Sequence, residues 1–373
     1  MERIGVFGGS FNPVHNEHIA VALKAIEELS LDKLFIVPTA VAPHKTAYPI
    51  DANDRLNMLK LAFEGIEKVE VSDFEINNGG TSYSYITAEH FKTKYNCKVY
   101  MIVGGDMLEN FKYWKYPERI LNSAELAVFS REDFNLSFEK ERKYFKDTFN
   151  KDFTLLKYGG KSCSSTKIRI YSAFSLDVRD FTNEKVANYI KENKLYKGNE
   201  YQELISLTLK PSRVKHTANV VVCALKKAKE LGLEEEKVIT ATTLHDLAKY
   251  IDYKTVKGFR LPTPDMPDPV IHAFLGGYLL ENKLGIKDTD IINAVRYHTS
   301  GRANMSNLEK LVFVADMIEE DRNYLGVEKL RKYYEEDFNK CFIECIKEEM
   351  IHLKNKKTPI YGETINCYNY YVK

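Results

Sequence analysis

The sequence predicts two domains of different class, an α/β domain built on a parallel sheet followed by an all-α domain. Three observations carry this. As far as about Tyr196, short apolar runs alternate with amphipathic segments, the pattern of βαβ units with parallel strands. Beyond Lys197-Gly198-Asn199-Glu200, a polar stretch with a glycine, every periodic segment has helical spacing. The chain, at 373 residues, is also longer than one ordinary core accommodates, and about two domains are expected. The domains are set at residues 1–197 and 199–373; no motif spans the junction, so each is expected to carry its own core.

In order, Arg3 to Phe7 reads as a buried strand and Ile19 to Leu29 as a helix, which makes Gly8-Gly9-Ser10-Phe11-Asn12-Pro13-Val14-His15-Asn16-Glu17-His18 a strand-to-helix turn. Gly8 and Gly9 let the backbone approach a ligand closely. His15 and His18 sit where the helix's free N–H groups and positive dipole end point outward. That describes a phosphate site, with histidines donating to phosphoryl oxygens and to the charge that builds up during transfer. Further strands are expected at Lys33 to Val37, Val69 to Val71, Val99 to Val103, Leu126 to Phe129 and Phe153 to Leu156. Ligands of such sheets bind at the carboxyl ends of the strands, and the candidate residues obey this rule. Pro38 to Lys45, which includes His44, follows the second strand, and Gly104-Gly105-Asp106 follows the fourth. Ser164-Ser165-Thr166-Lys167-Ile168-Arg169 follows the last and opens a helix, with hydroxyls near the N-cap and a cation one turn in. Gly160-Lys161-Ser162 imitates the end of a P-loop, but that motif needs a glycine where Leu155 stands.

Helices are expected in the second half at Val214 to Leu231, Val238 to Lys249, Val270 to Leu280, Asp290 to His298, Leu308 to Ile318 and Glu335 to Leu353. The proline-rich stretch Leu261 to Pro269 between them is expected to be an ordered loop. Along the helices run His216, His245-Asp246, His272, His298 and Asp316. Imidazoles and carboxylates together suit iron, manganese, zinc or cobalt, and six such ligands imply two divalent metals able to activate a water and clamp a phosphate. Lys249, three residues after Asp246, and Arg322 are placed to neutralise substrate phosphates.

The composition excludes little else. A net charge of +1 with 29% charged residues gives no argument for a nucleic-acid or membrane partner. The six cysteines form no Cys-x-x-Cys pair, so free thiols are expected, with Cys341 and Cys345 as core residues of one helix. The start has no apolar segment before a cleavage site and no apolar run reaches membrane-spanning length, so a cytoplasmic location is expected.

The glycine-rich turn resembles the first signature of the nucleotidyltransferase superfamily, Gly-Gly-x-Phe-x-Pro-x-His-x-Gly-His, in the form carried by bacterial nicotinate mononucleotide adenylyltransferases. Glu17 stands where that family has glycine. The resemblance covers roughly the first 196 residues and implies a Rossmann-like fold. It implies that Gly8, Gly9, Ser10, Phe11, His15, His18, His44 and Lys45 serve ATP, Lys45 by reaching its phosphates. Asp106, with Gly104, would hold a ribose, and Ser164, Ser165, Thr166 and Arg169 would cradle the β and γ phosphates. Ser82, Tyr83, Ser84 and Thr87 resemble the segment that faces the nicotinate, with Ser84 replacing threonine, and Trp114 stands where the family stacks an aromatic on the pyridine ring. The implied reaction transfers AMP from ATP, with Mg²⁺, to nicotinate mononucleotide. Pantetheine phosphate and nicotinamide mononucleotide are the alternative acceptors, and a binding module is the alternative role.

The second half resembles the HD-domain metal phosphohydrolases. Tyr297-His298-Thr299-Ser300-Gly301, Met305-Ser306 and Ala315 to Arg322 are similar to the bacterial branch that splits diadenosine tetraphosphate symmetrically into two ADP, with Glu320 where that branch has proline. The resemblance implies a dimetal site, iron foremost. Another nucleotide phosphohydrolase or a cyclic-nucleotide phosphodiesterase is the alternative.

Overall fold

The computed structural model describes residues 2–41, 50–129, 138–158, 163–356 and 359–373. It divides into two compact units, one of Met1–Ser172 with Asp177–Tyr196, the other of Ala173–Leu176 with Lys197–Lys373.

The first unit is built on six parallel strands: β1 (Arg3–Gly9), β2 (Lys33–Pro38), β3 (Val69–Val71), β4 (Lys98–Gly104), β5 (Glu125–Phe129) and β6 (Phe153–Leu156). Their order, β3-β2-β1-β4-β5-β6, reverses direction between β1 and β4, which opens a crevice at the carboxyl ends of those two strands. The register brings these ends level: Gly9 pairs with Pro38, Gly104 with Phe129, and Phe129 with Leu156. The central strands are apolar throughout because helices cover both faces. Ile4, Val6, Phe35, Val37, Val99, Met101, Leu126 and Val128 belong to one buried cluster. Gly5 has to be glycine for packing, since a Cβ there would lie 2.6 Å from Leu31 and 2.7 Å from Leu34.

The second unit is helical throughout its described residues. Helices Pro211–Ala228, Glu235–Leu244, Asp268–Asn282, Thr289–Tyr297 and Asn307–Ile318 carry the predicted ligands on or just beyond them. Their starts are set by local chemistry: Asp288 accepts from the N–H groups of Asp290 and Ile291, and Ser306 and Glu309 form a reciprocal capping box. Two expectations are corrected here. The helix expected through Lys249 ends at Leu244, leaving His245 and Asp246 in the turns that follow. The helix expected over Glu335 to Leu353 is two, Val327–Glu336 and Phe338–Lys356, because Asp337 is extended and its carboxylate caps the second through the Lys340 N–H. Leu261 to Pro269 contains no helix before Asp268, and Met266 packs with Val270, Ile271 and Phe274. Cys341 and Cys345 are fully buried, as expected for core thiols. No helix among the described residues is long and apolar enough to cross a membrane.

Candidate active sites

In the first unit the glycine-rich turn leaves β1 and enters the helix Asn16–Glu28 at the crevice. His15, extended and 2% exposed, precedes that helix and donates its N–H to His18 Nδ1 at 3.2 Å. The two imidazoles stack with centroids 3.6 Å apart. Because Nδ1 accepts, His18 carries its proton on Nε2, as a donor. The turn is held by residues distant in sequence. Arg169 Nη1 donates to Asn12 O at 2.9 Å and Ser165 Oγ to Pro13 O at 2.8 Å, both from the helix Ser165–Ala173. Thr182 Oγ1 donates to Val14 O at 3.1 Å. Within the second signature, Arg169 Nη2 donates to Thr166 Oγ1 at 3.0 Å and the Lys167 N–H to Ser164 Oγ at 3.3 Å.

Arg55 was not singled out in the sequence. It is 1% exposed on the helix Ala52–Ala62, and its guanidinium donates to Ser10 O at 2.8 Å and Thr39 O at 2.7 Å, tying the turn to the end of β2. The one available signal was an arginine set among apolar helix positions. Glu17, the residue that departs from the family's glycine, is half-buried and accepts from the Tyr158 hydroxyl at 2.6 Å, which engages its carboxylate beyond the end of β6.

The acceptor segment also comes together. Ser82 Oγ accepts from the Ala40 N–H at 2.9 Å, and Ser84 opens the helix Ser84–Tyr95. Lys115 Nζ stands 4.3 Å over the Tyr83 ring, which brings the segment after half-buried Trp114 against Tyr83. Trp114 itself packs on Phe111 with centroids 5.2 Å apart. Gly104 ends β4 and Asp106 is exposed in the short helix Gly105–Glu109 that follows. His44 and Lys45 lie outside the described residues.

Thr87 donates to the buried Glu75 Oε1 at 2.5 Å, while Oε2 has no hydrogen-bond partner. Burial pushes the Glu75 carboxyl above its ordinary range, against the Thr87 hydrogen bond. A raised acid favours the folded state most at low pH, and that contribution is lost as pH climbs from the ordinary glutamate range through the raised value. Glu75→Gln keeps an acceptor for Thr87 and cannot ionise. Its melting temperature relative to wild type should therefore rise as pH climbs from about 4, where the unfolded glutamate begins to ionise. A constant difference over that climb would show that Glu75 titrates as it does in the unfolded chain.

In the second unit the six predicted ligands converge, and three overlapping sets each have ligand atoms within 4.8 Å of one another: His216, His245 and Asp246; His245, His298 and Asp316; and Asp246, His272 and His298. Asp246, 2% exposed, lies at the centre. Its Oδ1 is 3.1 Å from His272 Nε2 and 3.6 Å from His298 Nε2. Its Oδ2 is 3.6 Å from His245 Nε2 and 4.0 Å from His216 Nε2. His245 and His298 follow helix ends, and their Nδ1 atoms meet the free carbonyls of Thr242 at 2.6 Å and Val295 at 2.7 Å. That places the protons on Nδ1 and turns both Nε2 lone pairs inward.

Burial pushes His245 down to about 3, so it is neutral, and burial lowers His272 as well. Burial alone would push Asp246 and Asp316 up, yet both carboxyls lie well below the ordinary carboxylate range, with Arg213 and Lys249 beside Asp246 and Arg322 beside Asp316. The buried His245 Nε2 has no hydrogen-bond partner, and His216 Nε2 lies 3.0 Å from Asp316 Oδ1 outside hydrogen-bonding geometry. Imidazole nitrogens turned inward beside ionised carboxylates are a donor set that fits divalent metal.

Three cations border the cluster. Lys249 Nζ is 3.2 Å from His272 Nε2 and 3.4 Å from Asp246 Oδ1. Arg322 was expected at substrate phosphates, yet its guanidinium is engaged by the Asp316 carboxylate and carbonyl, as a brace on a ligand. Arg213, which the sequence reading did not single out, contacts Asp246 Oδ2 at 3.0 Å. It lies one helical turn before His216, and that spacing was its available signal.

The class these features define is a nucleotidyltransferase joined to an HD domain: residues 6–170 match the cytidylyltransferase-like family model and residues 213–321 the HD domain. Over 200 residues, 53% of the chain and all of the relative, it is 38% identical to a "Probable nicotinate-nucleotide adenylyltransferase" of Clostridium tetani. A "Probable nicotinate-nucleotide adenylyltransferase/Ap4A hydrolase" of Mycoplasma genitalium is 28% identical over 86% of this chain and 88% of its own length. Among solved structures, a "predicted HD superfamily hydrolase involved in NAD metabolism" from Clostridium acetobutylicum is 31% identical, covering 46% of this chain and 95% of its own, with a TM-score of 0.42. The chain belongs to the bacterial nicotinate-nucleotide adenylyltransferase family, in the form that carries an HD domain.

Proposed function

We infer that the chain is a bifunctional cytoplasmic enzyme with functional domains over residues 1–197 and 199–373. The first transfers AMP from ATP to nicotinate mononucleotide, giving deamido-NAD and pyrophosphate. The reading rests on one arrangement: the second-signature residues Ser165 and Arg169 are hydrogen-bonded to the turn that carries His15 and His18. Attack by the mononucleotide phosphate on the α phosphorus needs no covalent enzyme intermediate. Positioning and charge stabilisation by His15, His18, Lys45 and Arg169 carry the catalysis, with Mg²⁺ accompanying the ATP phosphates. Gly8, Gly9, Ser10, Phe11, His44, Gly104, Asp106, Ser164 and Thr166 are the remaining ATP residues, and Ser82, Tyr83, Ser84, Thr87 and Trp114 receive the acceptor.

The acceptor is read as the acid form on the resemblance of Ser82, Tyr83, Ser84, Thr87 and Trp114 to the segment that faces the nicotinate. A site built around a carboxylate leaves its donors poorly matched against an amide. Turnover should favour nicotinate over nicotinamide mononucleotide by on the order of tenfold or more in kcat/KM. Equal values for the two would count decisively against this acceptor.

The second domain hydrolyses diadenosine tetraphosphate symmetrically to two ADP. The observation behind this reading is the division of Asp246, with one oxygen toward His272 and His298 and the other toward His216 and His245. His216, His245, Asp246, His272, His298 and Asp316 would hold two divalent transition metals, iron foremost, which supply an activated water and a Lewis acid when bound. Lys249 and Arg322 neutralise substrate phosphates, with Arg213 beside Asp246 as a third cation, and Arg322 also holds Asp316 in place. Metal analysis of the purified protein beside a product assay tests the reading. Two metals per chain and ADP as sole product are expected, whereas AMP with ATP would overturn symmetrical cleavage.

A further inference from the structure

We propose that Glu319 is the positioning residue that fixes His216 as a metal ligand, a role that rests on the dimetal reading above. The need for it follows from where the histidines sit. His245 and His298 stand at helix ends, where unpaired main-chain carbonyls hold their Nδ1 atoms. His216 lies inside the helix Pro211–Ala228, where carbonyls are taken by the helix itself, so its Nδ1 requires a partner from elsewhere in the fold. Glu319, 103 residues away, is that partner, with Oε1 3.0 Å from His216 Nδ1.

The carboxylate is 2% exposed and is itself held on its far side. Oε2 accepts from Asn219 Nδ2 at 3.0 Å and from the Asp321 N–H at 2.7 Å. Asn219 is one helical turn beyond His216, so one helix face presents both the ligand and the brace for its orienting carboxylate. A carboxylate surrounded by donors accepts from His216 as well. Nδ1 therefore keeps its proton, and Nε2 is the nitrogen turned toward Asp316 Oδ1 at 3.0 Å and Asp246 Oδ2 at 4.0 Å. A carboxylate behind the ring also makes the opposite nitrogen a more basic ligand than a carbonyl does.

Glu319→Gln tests this in the full-length chain. The amide must either turn its NH₂ toward His216, which moves the imidazole proton to Nε2, or set donor against donor at Asn219 and the Asp321 N–H. Mn²⁺ titration of chelator-stripped protein, followed by electron paramagnetic resonance, should show one site weakened on the order of 10- to 100-fold. The ¹⁵N spectrum of histidine-labelled metal-free protein, with His216 assigned from His216→Ala, should show His216 protonated on Nδ1 in wild type and that state lost in Glu319→Gln. Mn²⁺ affinity within twofold of wild type, or a wild-type His216 protonated on Nε2 alone, overturns the proposal. If Glu319→Gln does not fold, Asn219→Ala removes the brace and leaves the Glu319 carboxylate in place; an Mn²⁺ affinity at least about threefold weaker supports the role and an unchanged one overturns it. His216→Ala separates the two readings. Retention of both Mn²⁺ ions by that variant refutes the dimetal site itself, whereas their loss there with none in Glu319→Gln refutes only the positioning role.

Discussion

Asp246→Ala is expected to abolish polyphosphate hydrolysis while leaving adenylyl transfer intact. The carboxylate lies among four imidazoles, each oxygen within 4.0 Å of two of them. It is also the counter-charge of Arg213 and Lys249. Without it, two cations held by the remaining ligands face each other with less compensation, so at least one metal should be lost. Two measurements check this, metal content per chain and ADP released from diadenosine tetraphosphate. A variant that keeps both metals and releases ADP normally overturns the proposed site. Because Arg213 and Lys249 lose a buried partner, the melting temperature is followed alongside, and adenylyl transfer by the same sample reports whether the first domain is untouched.

His18→Ala is expected to lower adenylyl transfer by on the order of 10² to 10³ in kcat, about 3–4 kcal/mol of transition-state stabilisation. The effect comes from the donor that the fold prepares. His15 N–H occupies Nδ1, so the proton of His18 sits on Nε2, beside the turn braced by Arg169 and Ser165. Binding of ATP should weaken less than turnover, since the same turn is held by Arg55 and Thr182 independently of His18. Loss of the contact to the His15 N–H also removes part of the helix start, which costs about 1 kcal/mol of stability and is read from the melting curve. Turnover within twofold of wild type at saturating ATP and nicotinate mononucleotide would remove His18 from the catalytic set.

Local sequence pattern was enough to mark the two classes of domain, the six strands and the two stretches where candidate site residues gather. These are local properties: apolar period separates strand from helix, and a glycine-rich turn between them declares its purpose by its own residues. It also determined which histidines and aspartates gather in the second unit, because metal-type residues recurring along otherwise apolar helices have no ordinary packing reason to be there. The tertiary structure alone decided how those residues divide. Nothing local to His245-Asp246 says that one oxygen faces His272 and the other His216, since those partners come from other helices. Arg55 beneath Ser10, Tyr158 on Glu17 and Glu319 behind His216 were equally silent, each being a hydrogen bond between residues 45, 141 and 103 positions apart. Arg322 carries a contact its position did not mark, because the fold also pairs it with Asp316. A buried polar group takes whichever partner the packing brings within reach, and that choice depends on elements whose approach no period in the chain records.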